Sequence, residues 1–399
     1  MLLDEAPGDL SMRRWASLFR RVFGPADNGF LHIDLPSGQC LRLAGKRPGR
    51  DAHVAVRRWS TLMRLALRGD IGFAESIIRG DVYSKNLKHL LLWAIENTGT
   101  AGSVGDGIAA ARLGSRVRHA LRANTLRKSR RNIAAHYDLG NAFYECWLDE
   151  GLNYSSGIYA SSDATLAHAQ AAKIARIADL LELRGGERVL EIGCGWGALA
   201  EHLITAYECH VTGLTLSGEQ QAHAIEWLST FAGRAEVRLQ DYRDVTGTFD
   251  RIASIEMMEA VGESYWPAYF KKIASSLAVD GTAVLQVITI DDARYDAYRR
   301  RPDFIQLSIF PGGMLPTKSV IAEQARHAGL CLTRDEYFGA SYARTLADWR
   351  QRFNRSWPML QALGFDERFR RLWNYYLLYC EAGFEAGWVD VGLYQLKRL

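Results

Sequence analysis

The run Glu191-Ile192-Gly193-Cys194-Gly195-Trp196-Gly197 puts three glycines and a carboxylate directly after an apolar stretch and directly before the helical pattern ALAEHLITAY. Backbone without side chains can approach a ligand closely at the carboxyl end of a strand, where open α/β sheets bind nucleotides. With Ala198 the run also fits the dinucleotide pattern G-x-G-x-x-G/A, which is a weak signal when it stands alone. A dinucleotide site wants an acid about 20 residues further on to hold the ribose. The second strand, His210-Val211-Thr212-Gly213-Leu214-Thr215-Leu216-Ser217, supplies none. Glu191 at the strand end suits a ligand with a cationic or hydroxyl-bearing tail and no pyrophosphate, so the loop reads as a site for S-adenosylmethionine rather than NAD.

The elements that must position this loop follow from the pattern around it. RVLEIG, HVTGLTLS, AEVRLQ, FDRIASIE and TAVLQVITI are short strand-like runs separated by longer amphipathic stretches. That alternation predicts an α/β fold of the Rossmann-like kind, a doubly wound parallel sheet. Upstream, residues 30–43 alternate apolar and polar around Pro-Ser-Gly and predict a β-hairpin. Helical spacing follows over Trp59–Leu67 and Leu87–Ile95, with Gly69–Phe73 between them. A smaller N-terminal α+β domain is therefore expected over residues 1–110. A basic linker over 111–131 carries Arg112, Arg116, Arg118, Arg122, Arg127, Lys128, Arg130 and Arg131, and a catalytic domain follows over 132–399.

Bulk composition narrows the class without naming a substrate. A chain of 399 residues with 48% hydrophobic residues suits two folded domains, and a net charge of +4 is too small to imply a nucleic-acid partner. The six cysteines have no paired CxxC spacing, which argues against a zinc site and a secreted disulfide framework and for a reduced cytoplasm. No metal is expected. The N-terminus lacks the pattern of a signal peptide, and no apolar run reaches the ~18–20 residues needed to span a bilayer, so a soluble or peripheral protein is expected.

Three ordered segments, Glu191–Gly197 (EIGCGWG), Gly213–Gln220 (GLTLSGEQ) and Asp241–Asp244 (DYRD), resemble the cofactor segments of the cyclopropane fatty acid synthases. His136–Asn141 (HYDLGN) and Asn153–Gly157 (NYSSG) are similar to segments that close over the cofactor in that family. Phe310–Pro316, Ser341–Leu346 and Tyr376–Cys380 match further downstream, so the resemblance runs from about Arg131 to the C-terminus. By motif position it implies S-adenosylmethionine contacts from Tyr137, Tyr154, Ser155, Gly193, Gly195, Thr215, Gln220 and Tyr242. Glu191, Cys194, Trp196, Gly197, Leu216 and Arg243 stand in the same segments.

The resemblance also implies the reaction: transfer of a methyl or methylene group to the double bond of an unsaturated acyl chain in a membrane phospholipid, giving a cyclopropane. The family holds a bicarbonate through Cys, Glu, His, an Ile carbonyl and Tyr to take the departing proton. Here Glu259, Tyr342 and Ile288 stand at such positions, while Ser156 and Gln286 replace the Cys and the His. Gln cannot titrate near neutral pH, so the base can differ, and a methylene- or methyl-branched chain is the alternative product. Cys380 matches a family cysteine once regarded as catalytic, although the apolar helical stretch NYYLLYC favours an inert thiol.

The N-terminal stretches GDIGFAE and RGD resemble the family's sterol-carrier-like module, which implies lipid capture or a homodimer. The basic stretch from Arg112 to Arg131 would add about 1 kcal/mol per near-surface charge toward anionic headgroups on the inner face of the membrane. Two rivals fall outside this reading. An RNA methyltransferase would leave a recognisable RNA-binding module, and a non-enzymatic lipid carrier would leave the glycine loop idle.

Overall fold

The computed structural model describes residues 26–97 and 139–398. These residues form two compact units. The first takes the described residues up to 97 together with Asp296–Ile309 and Gly364–Ala386, and the second takes the remainder.

In the first unit the expected hairpin forms from β1 (Asn28–Asp34) and β2 (Cys40–Ala44), paired antiparallel from Phe30 opposite Ala44 to Asp34 opposite Cys40. Its turn closes through Gly38 N–H to the Leu35 carbonyl at 2.9 Å. β3 (Arg47–Val56) lies parallel to β1 and carries the short β4 (Val82–Tyr83), giving the order β2-β1-β3-β4. The two expected helical stretches form the helices Ser60–Arg79 and Leu87–Asn97; the first runs on through Gly69–Phe73 and is bent at Gly69, whose φ of 56° and ψ of −133° no other residue type adopts easily.

The helix Glu367–Glu385 also belongs to this unit, which corrects the assignment of 132–399 to a single domain. Arg371 Nε donates to the Ile78 carbonyl at 2.9 Å, and Lys88 Nζ bridges Glu381 and Glu385 at 2.7 and 2.5 Å. A composition shift marks where a chain leaves a domain, but it carries no trace of a segment that returns to it.

The second unit is built on a seven-stranded sheet of order β10-β11-β9-β8-β5-β6-β7. β5 (Arg188–Ile192), β6 (His210–Thr215), β7 (Ala235–Leu239), β8 (Phe249–Ile255) and β9 (Leu277–Ile290) are the five expected strands, and each neighbouring pair among them is parallel. The sheet is mixed rather than wholly parallel. β10 (Leu330–Tyr337) and β11 (Val389–Arg398) add an antiparallel edge, a common extension of doubly wound sheets. Their alternating polar positions hid them beside the more apolar central strands.

The buried face packs Ile177 and Leu181 of the helix Leu166–Leu181 and Leu203 of the helix Ala198–Tyr207 onto Val189, Val284 and Leu393. β5 has β6 on one side and β8 on the other, so the strand order reverses at its carboxyl end and opens the crevice where such sheets bind ligands. Among the described residues no helix is long and apolar enough to cross a membrane.

Candidate active site

At that crevice Gly193, Gly195 and Gly197 all have positive φ, of 83°, 53° and 102°. A Cβ on Gly193 would stand 2.3 Å from Met257 Sδ, whereas one on Gly195 would meet nothing within 4 Å. The loop is thus pressed against the β8 end on one side and leaves backbone open on the other. Gly193 and Cys194 N–H groups both donate to the Leu214 carbonyl, at 3.0 and 2.9 Å, fastening the loop to β6. Burial drives the Cys194 thiol well above its usual range, so it is inert packing beneath Gly213.

Around the loop the polar groups are unevenly satisfied. Thr215 Oγ1 donates to Gln220 Oε1 at 2.8 Å and accepts from Ser217 N–H at 3.1 Å. Arg243 is committed to Asp241, with Nε and Nη2 at 2.8 and 2.7 Å from its carboxylate, so it buttresses the DYRD turn. By contrast, the buried Tyr242 hydroxyl and Glu191 Oε2 have no hydrogen-bond partner among the described residues. Burial raises the Tyr242 phenol to about 12 and Glu191 to about 8, the latter opposed by the charge of Lys173. Orphaned buried polar atoms around an open glycine backbone fit a polar ligand such as S-adenosylmethionine. Leu216 lies half-buried next to Thr215 in the same turn, and Trp196 Nε1 donates to Asn141 Oδ1 at 2.8 Å. Tyr137 lies outside the described residues.

Lys173 connects this loop to the next cluster. It is 3% exposed, and its Nζ donates to Ser155 Oγ at 2.9 Å and Asn153 Oδ1 at 3.2 Å. Burial lowers its ammonium to about 8, while Asp149, Glu256 and Glu191 pull the other way. Ser155 is held a second time by Gln170 Nε2, which donates to its carbonyl at 2.8 Å.

The cluster beyond is centred on Glu256. Ser156 N–H donates to Glu256 Oε1 at 2.9 Å, Gln286 Nε2 donates to the same oxygen at 2.8 Å, and Tyr342 OH donates to Oε2 at 2.6 Å. Ser156 and Gln286 are fully buried, and Gln286 Oε1 has no partner among the described residues. Burial raises the Glu256 carboxyl, against the lowering effect of these three donors and Lys173. Glu259 stands nearby but is not the partner of Tyr342. Its Oε1 accepts from Ile288 N–H at 2.5 Å, its Oε2 has no partner among the described residues, and burial followed by the charge of Glu256 raises it to about 8. Ile288 therefore meets Glu259 through its amide. Cys380 belongs to the first unit, where burial and Asp303 hold its thiol protonated.

An aromatic wall runs from the loop to this cluster. Trp196 lies 5.1 Å from Tyr144 between ring centroids, Tyr144 5.5 Å from Tyr154, Tyr154 5.3 Å from Trp349, and Trp349 6.1 Å from Tyr342. Ring faces attract cations through their quadrupole. A ligand presenting positive charge at the glycine loop, an apolar wall and a buried carboxylate together describe a site that can align an electrophilic methyl with an apolar nucleophile and take up the proton released.

Glu256, Lys173 and Trp349 escaped the sequence reading. Lys173 sits on an ordinary amphipathic helix and Trp349 among many aromatics, but Glu256 had a visible signal, a second carboxylate three residues before Glu259 at a strand end.

Comparison with known proteins agrees with this geometry. The family model described as mycolic acid cyclopropane synthetase matches residues 124–394. The tuberculostearic acid methyltransferase UfaA1 of Mycobacterium tuberculosis is 39% identical over 356 residues, covering 84% of this chain and 80% of the relative. The cyclopropane-fatty-acyl-phospholipid synthase of Escherichia coli is 33% identical over 390 residues, covering 96% of both. Among solved structures, the cyclopropane synthase MmaA2 of M. tuberculosis superposes with a TM-score of 0.63 at 32% identity, covering 67% of this chain and 97% of its own. The mycolic acid cyclopropane synthase CmaA1, in complex with SAH and CTAB, gives 0.63 at 30% identity, covering 67% of this chain and 98% of its own. The chain is an S-adenosylmethionine-dependent methyltransferase acting on lipids, and it belongs to the mycolic acid cyclopropane synthetase family.

Proposed function

We propose that this enzyme methylates the double bond of an unsaturated acyl chain in a membrane phospholipid, working from the membrane surface, and resolves the resulting cation to a methylene-branched chain. The observation that carries the reading is the buried Glu256 carboxylate, held by three donors at the end of the aromatic wall. When bound, S-adenosylmethionine supplies an electrophilic methyl group. The chain's own residues do the rest. Gly193, Gly195, Thr215, Gln220, Tyr242 and Glu191 line the cofactor crevice, and Tyr144, Tyr154 and Trp349 exclude water and face positive charge with π-density.

Product choice depends on the lifetime of the carbocation on the acyl chain. Three hydrogen bonds to the ionised carboxylate of Glu256 lower its proton affinity against the raising effect of burial and hold both of its oxygens in place. Slow proton removal leaves time for a hydride to shift to the cationic carbon, after which loss of a methyl proton leaves a C=CH2 methylene branch. The relative named a methyltransferase rather than a cyclopropane synthase supports a product without a ring. Ring closure is the second reading, supported by the E. coli relative, whose match spans nearly the whole chain.

The test is incubation with vesicles of monounsaturated phosphatidylglycerol and S-adenosylmethionine, followed by gas chromatography and mass spectrometry of the released acids. A gain of one CH2 with an ozone-sensitive double bond is expected. The same gain without a double bond identifies a cyclopropane, and no gain with bound cofactor rules out this substrate class.

A further inference from the structure

We propose that Glu256 is itself the proton acceptor of the reaction and fills the seat that a bound bicarbonate would need, so that the enzyme works without bicarbonate. The inference rests on the reading that an acyl double bond is methylated.

Ser156 and Gln286 leave the identity of the base open by their types, and both surround Glu256 together with Tyr342. Two of them donate to Glu256 by side chain and Ser156 does so by its backbone amide, while the Ser156 hydroxyl is spent on the Gly157 carbonyl at 2.9 Å. The Ile288 amide is spent on Glu259. Among the described residues the polar atoms left over are Gln286 Oε1, an acceptor that cannot bind an anion, and Glu259 Oε2, so the side chains that surround Glu256 have no donor to spare but the Glu259 carboxyl itself. The ionised carboxylate of Glu256 would also repel one. A bicarbonate does not fit these residues.

Backbone conformation points the same way. Glu256 has a φ of +52°, in the left-handed region that favours glycine and costs other residues about 1–2 kcal/mol. Strain of this kind persists where the side chain is needed. The residue directly follows β8, and its neighbour Met257 packs on Gly193 of the cofactor loop, so the carboxylate stands beside the crevice within the same unit.

The step balances without a further reactant. The alkene π pair forms the new bond to the methyl carbon, and the carbon–sulfur pair leaves with sulfur. The adjacent acyl carbon becomes cationic, and after the hydride shift one proton passes from the added methyl to a Glu256 oxygen. The carbon–hydrogen pair it leaves behind becomes the π bond of the methylene branch, or the third ring bond if no hydride has moved. Water returns the carboxyl to its ionised form between turnovers.

The experiment compares the unaltered enzyme with Glu256→Gly and Glu256→Gln in carbon-dioxide-free buffer, with and without added bicarbonate. Binding of 13C-bicarbonate is followed by NMR line broadening, and SAH binding reports on the fold. Glycine suits the local φ and opens the seat, while glutamine fills it without a base. The unaltered enzyme should turn over at a rate indifferent to bicarbonate and should not broaden its signal. Both variants should bind SAH and lose turnover about 10²-fold or more, the usual range for a general base. Only Glu256→Gly should bind bicarbonate and recover turnover with it. Bicarbonate binding or stimulation in the unaltered enzyme would overturn the proposal, as would Glu256→Gln turning over within about threefold of it. Should monounsaturated phospholipid prove not to be the substrate, turnover is absent in every sample. The NMR arm then still decides the seat: broadening by Glu256→Gly and not by the unaltered enzyme upholds it, and the reverse refutes it.

Discussion

Replacing Tyr342 by Phe removes one hydroxyl and keeps the ring that stands edge-on to Trp349. The lost bond is the 2.6 Å donation to Glu256 Oε2, one of three that stabilise the charged carboxylate. A hydrogen bond to a charged group contributes about 1.5–3 kcal/mol. At about 1.4 kcal/mol for each tenfold change in proton affinity, Glu256 should then hold its proton one to two pH units higher. Because the carboxylate must be ionised to accept a proton, the acid limb of kcat against pH should move up by that amount. Above that limb the variant carries a stronger base, which shortens the life of the cation and should raise the ring-closed fraction of the product. The assay is the pH profile of methylated acid formed at saturating cofactor, with products resolved by gas chromatography. An unmoved acid limb would refute the idea that Tyr342 acts through Glu256, and a uniform loss of rate at every pH would reduce the contact to a structural one.

Gly193→Ala should raise the Kd for SAH at least about tenfold by calorimetry, since the added methyl meets Met257 Sδ and φ is +83°; unchanged affinity would mean the loop does not carry the cofactor. Glu259 binds its proton more tightly in the folded chain, at about 8 against an ordinary carboxylate range near 4.5, so its stabilising contribution is complete below that range and is lost as pH rises through about 8. Glu259→Gln lacks this titration, so denaturant unfolding should show the unaltered chain losing on the order of 4 kcal/mol relative to the variant between pH 5 and pH 9, where ~1.4 kcal/mol attends each pH unit between the two values. Parallel curves would show that burial does not hold this carboxyl protonated.

Much of the second unit was legible because its determinants are local. Apolar strand runs and the glycine loop identify β5 to β9 and the crevice, and the loop's conformation explains why glycine recurs there. What escaped depends on contacts distant in sequence. β11 pairs with β9 about a hundred residues earlier, and Glu256 acquires its role from residues 156, 286 and 342, which no spacing along the chain connects. Glu259 and Tyr342 stood at suggestive positions by motif, yet the nearby Glu256 takes the tyrosine's hydrogen bond. The return of Glu367–Glu385 to the first unit was hidden for the same reason.

The central claim is that a methyl group is added to an acyl double bond and that one of its own protons is then taken by the chain. S-adenosylmethionine carrying a trideuterated methyl tests it directly, with mass spectrometry of the acids released from monounsaturated phospholipid vesicles. The account predicts a product that retains two of the three deuteriums in a C=CD2 methylene branch. Retention of all three would mean the proton leaves from the acyl chain itself, and would contradict the account of how Glu256 resolves the cation.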